Sequence, residues 1–218
     1  LNPDQAREII RILAHAQHDD GTVTKNFSPG DYDGESGFLD GQAWFPYFIT
    51  AYLKETADFN LLNEQFPSVG GGTRMSLLDR VILAMETLWK LRGPHGLPST
   101  GWADWNDCLN PRDRTSESIF NAMLFCAGSR SLEELLVHLA RPDDATLWAK
   151  RRQTVADAID RHAWDGQWYH RMYLADTGRI LGTKKAKWGK IFLEPQVWAA
   201  LCRSIDPARA QKAMDAAR

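Results

Sequence analysis

Two carboxylates and two indoles share one short stretch of this chain, Ser99-Thr100-Gly101-Trp102-Ala103-Asp104-Trp105-Asn106-Asp107-Cys108-Leu109-Asn110. Indole faces stack on ring-shaped ligands such as sugars. A carboxyl held partly out of water can keep its proton near neutral pH and donate it. Breaking a glycosidic bond requires a proton on the leaving oxygen, which makes Asp107 the candidate general acid. Trp102, Asp104 and Trp105 are the candidate substrate contacts around it. Both aspartates can also be read as a helix cap or an Asx-turn, and for an isolated Asp that reading would prevail. The flanking indoles and Asn106 shift the balance toward chemistry.

Asp40 stands immediately before a strongly apolar segment, the place of a helix N-cap, and is equally placed to accept hydrogen bonds from sugar hydroxyls. Glu194 lies in Lys190-Ile191-Phe192-Leu193-Glu194-Pro195-Gln196, which leads into another helical pattern. An acid there balances the first turn's dipole or, together with Gln196, reaches a cleft as a substrate contact. Trp164-Asp165-Gly166-Gln167-Trp168-Tyr169 reads as the turn into a hairpin, with Trp168 or Tyr169 as further aromatic candidates. The run Lys184-Lys185-Ala186-Lys187 is a solvated loop or an attractor for an anion such as phosphate. His15, His18, His95, His138, His162 and His170 show no metal-ligand spacing, so no metal site is assigned and no cofactor is expected.

Helical periodicity must position these residues. The spacing predicts helices over about 3–18, 41–57, 73–92, 117–139, 143–162 and 195–204, with a seventh starting near Pro207. Gly93-Pro94 stops the third, Gly128-Ser129 is a candidate break in the fourth, and only 167–182 reads as a β-hairpin. Connections after the first, third and fifth helices are long and rich in acids, aromatics and glycine. Those at 140–143 and 205–207 are brief, and the one near 58–72 is intermediate. Alternate connections of stacked antiparallel helices lie at opposite ends, so the three rich loops are expected together at one end. The second and sixth segments are the most apolar, as an inner ring would be. The expected class is all-α: about seven helices of an (α/α)6 barrel with a small β-hairpin in a loop, or else an ordinary helical bundle.

The 218 residues are 44% hydrophobic and 25% charged, enough to bury one large core. A net charge of −2 gives no electrostatic basis for binding nucleic acid or an anionic membrane. No apolar run is long enough for a transmembrane helix, and no secretory signal opens the chain. Cys108, Cys126 and Cys202 are widely spaced and odd in number, which points to a reducing cytoplasm rather than a disulfide framework.

Trp102-Ala103-Asp104-Trp105-Asn106-Asp107, with Cys108-Leu109-Asn110 following, resembles the Asp-Trp-Asn-Asp signature of glycoside hydrolase family 94, the inverting disaccharide phosphorylases. Gly37-Phe38-Leu39-Asp40 with Trp44 and Ala51-Tyr52-Leu53-Lys54-Glu55-Thr56 is similar to that family's donor-site loop and inner helix. Residues 163–169, and 190–196 with Trp198-Ala199, match further stretches in the same order. The resemblance implies an (α/α)6 barrel in which inorganic phosphate attacks the anomeric carbon of a β-linked disaccharide with inversion, giving a sugar 1-phosphate. Phosphate is then a co-substrate and itself the nucleophile, so neither a cofactor nor a second carboxylate is required. The resemblance also implies that Asp107 is the general acid, that Trp105 and Asp40 hold the donor sugar, and that the full-length protein can form a homodimer.

Departures from the family pattern are Gly41, where a second acid is common, and Pro111-Arg112-Asp113-Arg114-Thr115-Ser116, where a glycine-rich stretch is usual. The family's phosphate ligands and much of its acceptor site lie further toward the C-terminus, beyond Arg218. Leu1 is not an initiator Met, and Arg218 falls inside a helical pattern. Residues 1–218 are therefore read as a partial catalytic barrel domain, truncated at both ends. Two other readings stay open: an inverting glycosidase with Glu194 as its second carboxylate, and a non-catalytic carbohydrate-binding helical domain.

Overall fold

A computed structural model describes residues 2–26, 28, 31, 32, 34 and 36–218. The helices are α1 (Pro3–His15), α2 (Gly41–Thr56), α3 (Leu77–Lys90), α4 (Ile119–His138), α5 (Pro142–His162), α6 (Leu193–Leu201) and α7 (Pro207–Ala216). They start where the sequence supplies caps. Asn2, Ser76, Ser118 and Asp206 each accept from an amide in the following first turn, and Pro opens α1, α5 and α7.

The α4 helix buries most of its circumference and α2 one broad face, with Tyr47, Phe48, Ala51, Lys54 and Glu55 left exposed; together they form the centre of the molecule. The α4 helix packs on both α2 and α6, while α1 and α3 flank α2, α5 covers α4 and α7 covers α6. This is the inner and outer alternation of a helical barrel. At Gly128 an added Cβ would lie 3.0 Å from the Ala43 carbonyl oxygen, so glycine lets the two inner helices approach this closely. The expected break at Gly128-Ser129 is absent because burial on every side keeps α4 continuous. The α6 helix is less covered than its composition suggested: Leu193 and Leu201 are exposed.

Two small antiparallel sheets sit in the connections. Strands β1 (Gln65–Pro67) and β2 (Arg74–Ser76) form a hairpin, β1 in the expected connector and β2 over the expected first turn of the third helix, since three-residue strands are too short for alternation to register. The expected hairpin at 167–182 shrinks to β4 (Met172–Tyr173) and β5 (Ile180–Leu181). It gains a third strand, β3 (Glu117–Ser118), which had been assigned to the start of the fourth helix. Ser118 pairs with Met172, which pairs in turn with Leu181. Among the described residues, no helix is long and apolar enough to cross a membrane.

Candidate active site

The described residues of loop 16–40 meet loop 91–118, and that loop meets 163–192, at one end of the helices. Gly101 bridges Phe38, the Trp102 amide donates to the Gly37 carbonyl at 2.8 Å, and the Ile119 amide donates to the Arg171 carbonyl. Gly101 has a φ of +63°, and a Cβ there would lie 2.0 Å from the Gly37 carbonyl oxygen. Glycine is what allows the first two loops to touch.

Asp104 is wholly buried, and so is its partner Arg171. Arg171 donates Nη1 to Oδ2 at 2.6 Å and Nη2 to Oδ1 at 2.7 Å, and the Ser118 hydroxyl donates to Oδ2 at 2.7 Å. Such a two-point, charge-assisted pair is strong and directional. The expectation that Asp104 contacts substrate is therefore corrected. Its oxygens are spent on clamping the signature turn to β3 and to the residue before β4.

Asp107, three residues on, has a side chain 62% exposed and ion-paired with the Lys25 ammonium. That ammonium also lies over the Phe38 ring, 4.1 Å from its centroid. The carboxylate opens onto a cavity of about 610 Å³ whose walls include Phe38, Trp102, Asn110, Arg112 and Arg114. This falls in the range of ligand clefts, about 300–1,000 Å³.

Asp40 occupies the N-cap position of α2 but makes no capping hydrogen bond. Its carboxyl lines a smaller cavity of about 210 Å³ with Lys25, Phe38, Trp44 and Phe48. Burial pushes its pKa up to about 6, against the pull of the Lys25 charge and with a smaller push from Asp104. Lys25 and Phe38 thus join the two cavities, and Asp40 and Asp107 belong to one site.

Trp102 lines the larger cavity, yet its ring is already in use. Gly37 lies against it, Phe38 meets it edge-on at 5.8 Å, and the Arg114 guanidinium sits 4.5 Å from its centroid. Trp105 is the open indole, 47% exposed. It begins an aromatic chain across the inner helices through Phe120 (6.4 Å), Trp198 (5.9 Å further) and Trp44 (5.2 Å further).

Gln196 is fully buried and does not reach a cleft, which corrects its assignment as a substrate contact. Its side chain accepts from the Tyr169 amide and donates to the Tyr169 and Phe192 carbonyls. Glu194 stands half-buried in the first turn of α6 and lines neither cavity. Trp168 donates its indole N–H to the Gly182 carbonyl, and Tyr169 is buried, so both support the hairpin. In the lysine run, Lys184 pairs with Asp165. The residues missed were Lys25 and Arg171. A charged residue inside the apolar pattern Tyr169-His170-Arg171-Met172-Tyr173 was the available sign of a buried partner.

Helix arrangement and loop end define a helical-barrel domain. A GH78 family rhamnosidase of Bacillus sp. GL1 shares this fold over 99% of this chain and 20% of its own, with a TM-score of 0.74 at 14% identity. The model of the glycosyl hydrolase 94 superfamily, catalytic domain, matches residues 1–218, and the chain belongs to that family. Cellobionic acid phosphorylase of Neurospora crassa is 30% identical over 97% of this chain and 27% of its own length. The 3-O-beta-D-glucopyranosyl-beta-D-glucuronide phosphorylase of Paenibacillus borealis is 32% identical over 74% of this chain and 21% of its own. The chain thus spans about a quarter of the length of these curated relatives.

Proposed function

We propose that this chain supplies the proton donor and the donor-sugar subsite of an inverting glycoside phosphorylase acting on a β-linked disaccharide. The observation that carries the reading is the position of Asp107: an exposed carboxyl on a clamped turn, at the mouth of a ligand-sized cavity, in a chain matched by the family along its length. Protonated Asp107 gives its proton to the glycosidic oxygen while inorganic phosphate attacks the anomeric carbon from the opposite face. The carbon–oxygen bond breaks with inversion, releasing a free sugar and a sugar 1-phosphate. In the reverse direction the ionised carboxylate takes the proton back from the acceptor hydroxyl. Lys25, paired with Asp107 and lining the smaller cavity with Asp40, lies between the two carboxylates.

Asp40 accepts hydrogen bonds from the donor sugar and Trp105 stacks on it. The reaction uses phosphate as co-substrate and no resident cofactor. Both relatives are named as phosphorylases, one of cellobionic acid and one of a 3-O-beta-D-glucopyranosyl-beta-D-glucuronide, which supports this reaction class. Three cysteines, all free thiols, support a reducing cytoplasm. The test is a product assay on the full-length protein with a panel of β-linked disaccharides. Sugar 1-phosphate that forms only when phosphate is present is the expected result. Two free sugars released without phosphate would make the enzyme a hydrolase instead.

A further inference from the structure

A separate cavity of about 470 Å³ opens beside β3, away from the clamp. Successive residues of a strand face opposite ways. Ser118 turns to Asp104, and Glu117 turns to this cavity. Arg112 and Arg114 line the catalytic cavity while Thr115 lines this one, so the same segment divides the two. Glu117 is 2% exposed, and its carboxylate is spent on the protein. Oε1 accepts from the His95 and Leu97 amides, each at 3.0 Å, and Oε2 pairs with His95 Nδ1 at 2.5 Å. Gly93 lets the loop wrap this closely, since a Cβ there would lie 2.5 Å from the Glu117 Cγ. Tyr173, stacked at 4.2 Å, and His162, edge-on at 5.1 Å, hold the His95 ring further. Its Nε2 has no hydrogen-bond partner among the described residues. The chemistry at Asp107 makes no use of this oriented imidazole.

We propose that this cavity is a second saccharide site, which holds one neutral sugar unit apart from the catalytic cavity with a sugar hydroxyl on His95 Nε2. The chemistry of the walls selects that class. Pro94, Leu174, Ala175 and Ile180 are apolar surfaces against which the C–H face of a pyranose packs. The Glu117–His95 pair carries no net positive charge in either state of the ring, so it does not attract an anion. Both Glu117 oxygens are occupied, so no open carboxylate awaits a cation. What remains is one polar contact in an apolar pocket, the pattern that orients an uncharged, hydroxyl-bearing ring. The walls are fixed in advance: the Asp176 amide donates to Asp113 at 3.0 Å and the Ala175 amide to the Ser116 hydroxyl at 3.1 Å. Such a site stands whether the catalytic cavity performs phosphorolysis or hydrolysis.

The test is a titration of the full-length protein carrying ¹⁵N-labelled histidine, with the His95 imidazole resonances identified by their absence in His95→Leu. D-glucose and cellobiose are added separately, without phosphate. At least one is expected to move the Nε2 resonance along a saturating curve in the millimolar range. Ala175→Trp, at an exposed position on the rim, fills the cavity and is expected to abolish the movement. Ile180→Trp does the same from β5 should the first variant not fold. Trp105→Ala, which removes the platform proposed for the donor sugar, is expected to leave the movement in place. A resonance that neither sugar moves, or that drifts in proportion to sugar without saturating, overturns the proposal. Movement that survives filling of the cavity, or that is lost in Trp105→Ala, would place the sugar in the catalytic cavity and overturn it too. Movement with inorganic phosphate and with neither sugar would give the cavity to an anion, which is equally a refutation.

Discussion

Asp104 and Asp107 are the same residue three positions apart, and the molecule uses them oppositely. The first lies in a dry pocket between loops with its oxygens held by Arg171 and Ser118. The second stands exposed at the cavity mouth, and its ion-pair partner among the described residues is Lys25. A charge buried and fully partnered fixes geometry; a charge left half-free can exchange partners. Asp40 lies between these extremes, nearly buried with only the Lys25 charge and weak hydrogen bonding to offset the loss of water, and its raised pKa is the consequence. The clamp holds the turn still, so the exposed acid three residues later is presented from a rigid base.

The comparison breaks most sharply at Arg171. Its replacement by Met strands the Asp104 carboxylate in the interior, and Arg171→Met is expected to lower stability by about 3–5 kcal/mol in urea unfolding. A loss below about 1 kcal/mol would remove the clamp from the account. Joining it to Asp104→Asn should cost less than the two single changes added, because both remove one interaction.

Asp40 gives the next effect, with a sign that can be checked. Its carboxyl titrates near pH 6 when folded against an ordinary value of 3.8, so the folded state binds the proton more tightly. The stability it contributes is complete below about pH 4 and is lost as pH rises through about 6, roughly 3 kcal/mol in all. Asp40→Asn should flatten that window and be more stable than the parent at pH 7, while weakening binding of the donor sugar. A parent and variant that unfold in parallel from pH 4 to 7 would contradict this.

The smallest effect sharpens the contrast. Lys25→Gln removes an exposed pair and should change stability by less than about 1 kcal/mol, several times less than Arg171→Met. A loss as large as that of Arg171→Met would erase the distinction between clamp and tip.

Much of this was legible in the residues. Apolar periodicity and proline starts located the seven described helices to within a few residues, and alternation of loop lengths put the connections at about 19–40, 93–116 and 163–194 at one end. What escaped were partnerships. Arg171 is 67 positions from Asp104, and nothing local to either names the other. For the same reason Gln196 read as a cleft residue although its amide bonds the backbone of Tyr169. The reading of Asp40 as a cap was sound by position, yet burial turned its carboxyl into the smaller cavity instead. The continuity of α4 through Gly128 likewise depends on the α2 backbone packed against it.

The central claim concerns proton donation by the carboxyl at position 107, and leaving-group chemistry tests it directly. In the full-length protein, Asp107→Asn is compared with the parent on a disaccharide and on a 2,4-dinitrophenyl β-glucoside, whose phenolate departs without a proton. The account predicts a fall of about 10²–10⁴-fold in phosphate-dependent turnover of the disaccharide and little change for the aryl glycoside. Equal losses on both substrates, or unchanged turnover of the disaccharide, would contradict it.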